Sequence, residues 1–474
     1  MAMLISQDRE SIDPGKARVV EHWTSVRRAD AIPRDLVIDP RGLGYMPHPN
    51  GVLVPYGHEV AAETPAREAT PWPFGKPSGG GGGDATGPAI SAMNPAPGAT
   101  IGVAYTFSAT VTDPSGVQSV SFKVQKGSGL AQSFAATQTS QDIWTVSLQG
   151  FTDGDWSWQV VAKDAAGKGG NSSSSSWVNF SVNTATGGAG GGKGAVTVTN
   201  AAWPGGGNVQ MAAGRIYFDM PTNKRLTRWA GYVCSGTVAS DGAADRSLII
   251  TAAHCVYDDA NKAFARNVMF ILDQDATSGS GTDLNCGNDP LGCWVPDFGV
   301  VDNNWTTMTF PNNVAWDYAF HVVPKSGAHT PGFLKNTSDD LEVAAGAMTV
   351  IFGAVVVDDK TTSGPTSPDF TAALGYSYSE APNFMQCAEK MTTMEAVNWW
   401  LPSCGLSGGA SGGPWLQPVS TGDGPIILVN SWGYTSRPGM AGPKLVGTSA
   451  SCVFAQAQTR SPLELNNNLV ANRP

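Results

Sequence analysis

Charge is scarce in this sequence: Asp, Glu, Lys and Arg together make up 14% of its 474 residues, with a formal net charge of -10. That is low for a cytosolic enzyme and ordinary for exported proteins built from short strands and glycine-rich turns. No run of Lys and Arg interrupts the acidic balance, so a phosphate-binding surface is excluded and nucleic acid is not an expected partner. No stretch approaches the roughly 20 apolar residues that span a bilayer, so no membrane partner is expected either. The opening residues, "MAMLISQDRESIDPGK", lack the apolar core and basic flank of an export signal. There is no Cys-x-x-Cys pair, which removes zinc ribbons and thioredoxin-type sites. No metal and no cofactor is expected.

What is abundant is glycine, at 57 residues, and the seven cysteines are confined to one region between Cys234 and Cys452. Clustered in this way they read as a disulfide framework, which places the protein outside the reducing cytoplasm, secreted or extracellular. An odd number leaves one thiol over.

The length predicts several domains, and composition marks where they divide. Residues 1–77 hold 19 charged residues, about twice the density of the rest, and end in a Pro-rich stretch followed by "GGGGGD". We divide the chain into a prosegment over 1–78, a Gly-rich linker over 79–87, a β-sandwich over 88–184, a second Gly-rich linker over 185–194 and a final unit over 195–474. The glycine runs at 79–83 and 187–194 are flexible by composition and easily nicked. Within 88–184, "YTFSATVTD", "VQSVSFKVQ", "DIWTVSLQ", "WSWQVVAKD" and "SWVNFSV" alternate apolar and polar residues between Gly, Ser, Asp and Pro turns. That period of two predicts an antiparallel sandwich. The segment resembles bacterial immunoglobulin-like modules, without their disulfide.

The final unit carries the chemistry. Acyl transfer by a serine needs a base for its proton, a carboxylate to orient that base and fixed donors for the oxyanion. "LIITAAHC" puts His254 at the end of an apolar run, and Cys234 stands 21 positions before Cys255. "AWDYAF" supplies Asp317, and "CGLSGGASGGPW" sets Ser411 among glycines that let the N–H groups of Gly409 and Ser411 converge. "NSWGY" follows, with Ser431, Trp432 and Gly433.

These motifs, in the order His, Asp, Ser, resemble those of the chymotrypsin-like (trypsin-like) serine peptidases. The resemblance implies a mostly β fold, with an antiparallel two-barrel catalytic domain after the immunoglobulin-like sandwich. It also implies that His254 is the base, Asp317 its orienting carboxylate and Ser411 the nucleophile. Gly409 and Ser411 would form the oxyanion hole. Ser431, Trp432 and Gly433 would pair with the substrate main chain, and Gly405 would lie at the pocket base. Asp258 and Asp259 compete with Asp317 for the orienting role, but stand too close to the histidine to reach behind its ring. His321 and His329 have no motif and read as structural. "AVNWWLP" reads as packing or a pocket wall.

Ala410 departs from the trypsin branch, where an acidic residue before the serine pairs with a new α-amino group after cleavage. The chain is closer to bacterial, glutamyl endopeptidase-like branches that lack that residue. The oxyanion turn must then be set by packing, and "EHWTSVRRADAIPRDLVIDPRG" in the first segment resembles prosegments of such enzymes. The expected disulfides are Cys234 with Cys255, Cys286 with Cys293 and Cys387 with Cys404, leaving Cys452. The function expected is a secreted serine endopeptidase acting on protein or peptide substrates, the sandwich being a candidate for contact with cell wall or polymer. The alternative is a silent peptidase-fold protein that serves in binding or adhesion.

Overall fold

The computed structural model describes most of residues 12–58, 86–182 and 197–461. A few short stretches inside these, and the remainder of the chain with both glycine runs, lie outside the described residues. The described chain is mostly β, in largely antiparallel sheets. It forms two compact units, one of Ala61–Gly192 and one that joins Met1–Val60 to Lys193–Pro474.

The smaller unit is a sandwich, as the alternation predicts. One sheet orders Thr137–Gln138, Ile143–Gln149, Ala104–Thr112 and Ala89–Asn94. The other runs Thr100–Ile101, Val178–Val182, Gly154–Asp164, Val117–Lys126 and Gln132–Ala135. Alternate residues of both meet in one core, where the rings of Phe107 and Trp158 pack edge to face 5.0 Å apart.

In the larger unit, a nine-stranded sheet holds Phe298–Val301, Ala319–Pro324, Arg246–Thr251, Trp229–Ala239, Ala213–Pro221 and Arg266–Leu272 side by side. The strand Arg246–Thr251 carries the apolar run Leu248, Ile249 and Ile250 because both of its faces are covered, and all of it beyond Arg246 is buried. The second half builds two more sheets. One contains Phe370–Gly375, Met385–Lys390, Pro414–Leu416 and Ile426–Val429; the other contains Asn398–Leu401, Met440–Pro443 and Trp432–Tyr434. The helix Ala450–Thr459 packs back on the first sheet, with Phe454 against Phe320.

The described part of the charge-dense N-terminal segment, within residues 12–58, is folded onto this unit. Its helix Pro14–His22 has Pro at the first position and Asp13 accepting from the N–H groups of Gly15 and Lys16, and Thr24 caps Ser25–Ala29 by accepting from Arg27 N–H. Between the helices Trp23 is fully buried among Tyr217, Val233, Met269 and Ile271, and its indole N–H donates to the Asn267 carbonyl. The chain then adds a strand to each half of the unit. Ile32–Pro33 pairs in parallel with Tyr232–Val233, and Leu36–Ile38 pairs in parallel with Trp432–Tyr434.

Candidate active site

His254 sits in a single helical turn, Ala253–Cys255, that ends the buried strand Arg246–Thr251. The Cys234–Cys255 disulfide ties that turn to the neighbouring strand. Asp317 stands two residues before the start of Ala319–Pro324, which lies beside the histidine strand in register Thr251 to Ala319. Strand pairing therefore brings the two residues together. The Asp317 carboxylate accepts the His254 main-chain N–H at 2.8 Å and lies 2.7 Å from His254 Nδ1, which fixes the ring and leaves Nε2 on its other edge. A third donor, the Ser431 hydroxyl, reaches the same carboxylate at 2.5 Å. The sequence pointed to Ser431 as part of a substrate strand; its side chain is occupied with Asp317.

Ser411 stands on a turn that only glycine allows. Gly409 and Gly412 have φ of +96° and +82°, and a Cβ on Gly412 would lie 2.1 Å from Thr251 Oγ1. The turn is braced from outside. Ser235 donates its hydroxyl to the Gly409 carbonyl and its N–H to the Ser411 carbonyl. Asn430 donates to the carbonyls of Ala410 and Leu374, and accepts the Trp415 indole N–H. Ala410 is fully buried, and Gly375 backs so closely against it that a Cβ there would meet Ala410 at 2.8 Å. Packing and neutral hydrogen bonds thus hold the turn without the missing acid.

The donors of this turn converge on a residue of the N-terminal segment. The Ser411 hydroxyl donates to Asp35 Oδ1 at 2.9 Å, and the Gly409 N–H donates to the same carboxylate at 3.1 Å to Oδ2. Burial raises the Asp35 pKa, opposed in part by the Ser411 hydroxyl, the nearby His254 and the Gly409 N–H. His254 Nε2 is buried with no hydrogen-bond partner among the described residues. The adjacent Arg34 is fully buried: its Nε donates to the His254 carbonyl at 2.7 Å, and its Nη2 bonds Asp258 at 2.9 Å and the Tyr56 hydroxyl. Asp259 accepts from the Tyr56 hydroxyl, Phe310 N–H and Asn313 Nδ2. Both acids beside the histidine are thereby spent on the N-terminal segment and the loop near it, leaving Asp317 behind the ring.

Trp432 and Gly433 lie opposite Leu36 and Val37, so the strand read as a substrate partner is paired with the chain's own N-terminal segment. Leu36 and Ile38 pack in one apolar cluster with Trp400 and Trp432, which makes Trp400 of "NWWL" packing against the N-terminal segment. Gly405 is exposed, and its N–H donates to the Thr199 carbonyl. None of its hydrogen bonds links it to the Ser411 turn.

The cysteines pair as expected, Cys234 with Cys255, Cys286 with Cys293 and Cys387 with Cys404, and Cys452 is free. Pairing removes the thiols beside His254 as metal ligands. Burial pushes the His321 pKa down to about 4, and His329 stacks on Trp294 with Nδ1 3.0 Å from Asp339. Both histidines sit apart from Asp317. Among the described residues no helix is long and apolar enough to cross a membrane.

No family model matches the chain, and no curated protein matches it. Among solved structures, an endo-beta-1,4-mannanase from Thermotoga petrophila is 18% identical over 21% of this chain and 20% of that one, with a TM-score of 0.18. The fibronectin(III)-like modules of Clostridium thermocellum CbhA are 22% identical over 20% of this chain and 97% of that one, with a TM-score of 0.16. This chain thus spans about a fifth of the mannanase.

Proposed function

We propose that the protein is a serine endopeptidase with a chymotrypsin-like two-barrel catalytic domain, exported from the cell and preceded by an immunoglobulin-like module. The observation that carries the reading is the convergence on one carboxylate: Asp317 accepts from His254 N–H, His254 Nδ1 and Ser431 Oγ. A carboxylate held this way fixes the imidazole tautomer, so that Nε2 serves as the base.

In this mechanism Ser411 Oγ attacks a peptide carbonyl carbon while His254 Nε2 takes its proton. The carbonyl oxygen becomes the oxyanion and is held by the N–H groups of Gly409 and Ser411. Collapse expels the amine, which leaves with the proton from His254, and water then repeats the sequence on the acyl-enzyme. The three disulfides support an oxidising compartment. The apolar cluster of Trp400 and Trp432 favours neutral or apolar side chains in the substrate. We assign the sandwich a role in contact with cell wall or polymer.

The test is intact-mass spectrometry after long exposure to an organophosphonate, on the full chain and its Ser411→Ala variant, before and after limited proteolysis. A single adduct confined to the chain with Ser411 is expected. No adduct under any of these conditions overturns the proposal in favour of a silent binding protein.

A further inference from the structure

We propose that residues 32–38 are a built-in inhibitor that lies through the active site in the direction opposite to a substrate, with the Asp35 carboxyl held on the Ser411 hydroxyl and on the Gly409 N–H of the oxyanion hole. The inference rests on the peptidase reading and concerns how that same site is kept off.

The direction follows from the chemistry of the site. His254 Nε2 must hand a proton to the leaving amine, so the part of a substrate C-terminal to the scissile bond lies on the half of the unit that carries His254. The acyl part, N-terminal to the bond, then lies along the other half, beside Trp432–Tyr434. The N-terminal segment has the reverse arrangement. Its earlier residues, Ile32 and Pro33, pair with Tyr232 and Val233, just before the cysteine bonded to Cys255. Its later residues, Leu36 to Ile38, pair with Trp432 to Tyr434. Asp35 falls between the two, against Ser411 and Gly409.

What reaches the nucleophile is therefore a side-chain carboxyl rather than a peptide bond. It has the atoms of the acid that peptide hydrolysis would leave behind, and it carries no amine to expel, so attack by Ser411 could release only water and would cut no peptide bond. The contact also redirects the nucleophile, because the Ser411 hydroxyl donates to Asp35 while His254 Nε2 has no partner among the described residues. A loop lying there by accident would not be anchored on both sides. Here Arg34 is bound to the His254 carbonyl and to Asp258, Leu36 and Ile38 are buried against Trp400 and Trp432, and Trp23 is sealed in its own apolar site. Gly408 adds a specific fit: a Cβ there would lie 2.3 Å from Asp35 Oδ2.

The experiment compares the rate of Ser411 modification by an organophosphonate in the full wild-type chain, in Asp35→Ala, in Asp35→Asn and in Ser411→Ala. Intact mass reads the adduct, and thermal unfolding checks that each chain is folded. Asp35→Ala is expected to be modified at least tenfold faster than wild type. Asp35→Asn, which keeps the shape and an acceptor oxygen, should lie between them and guards against a folding defect in the alanine variant. The cut sites found in any matured sample should fall outside 32–38. A rate unchanged by Asp35→Ala overturns the proposal at whatever level it sits. If the rate is already fast in wild type, the peptidase reading survives without an inhibitor. If no full chain is modified, the inhibitory role of Asp35 falls, and modification of the same chains after limited proteolysis decides the peptidase reading separately.

Discussion

Arg34 Nη2 and Asp258 Oδ2 are 2.9 Å apart and both side chains are sealed from solvent, which makes them a buried ion pair joining the N-terminal segment to the histidine loop. Breaking such a pair from one side leaves a buried charge uncompensated, a cost of about 3–5 kcal/mol. Arg34→Ala should lower the stability of the larger unit by about that much, read as a shift of the urea midpoint. Replacing both partners by apolar residues of similar volume should cost less. A double variant as unstable as Arg34→Ala would show that the arginine acts through packing and not through its charge.

Ser431 acts on the reaction through Asp317, so it is a positioning residue. Ser431→Ala removes one of three donors from that carboxylate and should lower kcat about tenfold, on the order of 1.4 kcal/mol of transition-state stabilisation. KM should stay within a factor of about two, because this hydroxyl is bonded to Asp317 and is not offered to a substrate in the proposed reaction. Steady-state kinetics on a matured sample, with Ser431→Thr as the conservative variant, separates this from a loss of folded enzyme.

Ala410 fills a site with no room and no cation. Ala410→Asp would bury a carboxylate beside Gly375 and the Ser411 turn, at a cost of several kcal/mol. The variant should show a large fall in thermal midpoint and no gain of activity on trimming to a new N-terminus. An active, stable Ala410→Asp enzyme would mean that the turn can move to accept a new ammonium partner.

Asp35 gives the latency a pH dependence whose sign can be stated. Burial raises its pKa in the docked segment. The ionisable groups around it are His254 with Asp317 behind the ring, Arg34 paired to Asp258, and Glu380, which accepts from Ser407 on the serine loop. A carboxyl with a higher pKa when docked holds its proton more tightly there, so docking is strongest below the free carboxyl pKa and weakens as pH rises through the docked one. The ratio of wild-type to Asp35→Ala modification rates should therefore climb from acid towards neutral pH, and this climb should be absent from the Asp35→Asn ratio.

The candidate trio of His254, Asp317 and Ser411 was legible because each member lies inside a local motif: the apolar run before His254, the acid before Tyr-Ala-Phe, and the glycines whose positive φ shapes the Ser411 turn. The sandwich strands were legible for a similar reason, since alternation is written residue by residue. Asp35 was not. Its partners Gly409 and Ser411 are 374 and 376 positions away, and it sits between two paired stretches of two and three residues, too short to carry a periodic pattern. Asp258 and Asp259 were seen as rivals of Asp317 because their real partners, Arg34 and Tyr56, lay in that same unpatterned segment. The second role of Ser431 was hidden by its place beside Trp432, where the main chain alone explains the motif.

The order of parts along the chain gives concentration a say in when the enzyme works. The docked segment comes first in sequence, the sandwich second and the proposed catalytic unit last, so while the chain is whole the segment rebinds as an intramolecular event at an effective concentration that can reach millimolar. A cut in 59–85 or in 183–196 turns the same contact into a meeting of two molecules, and the grip then depends on how crowded they are. Nicked protein should stay silent in a concentrated stock and wake on dilution, with a lag set by the departure of the segment. The position of the cut also decides the cargo, since a cut in 59–85 leaves the sandwich on the enzyme and a cut in 183–196 sends it away with the segment.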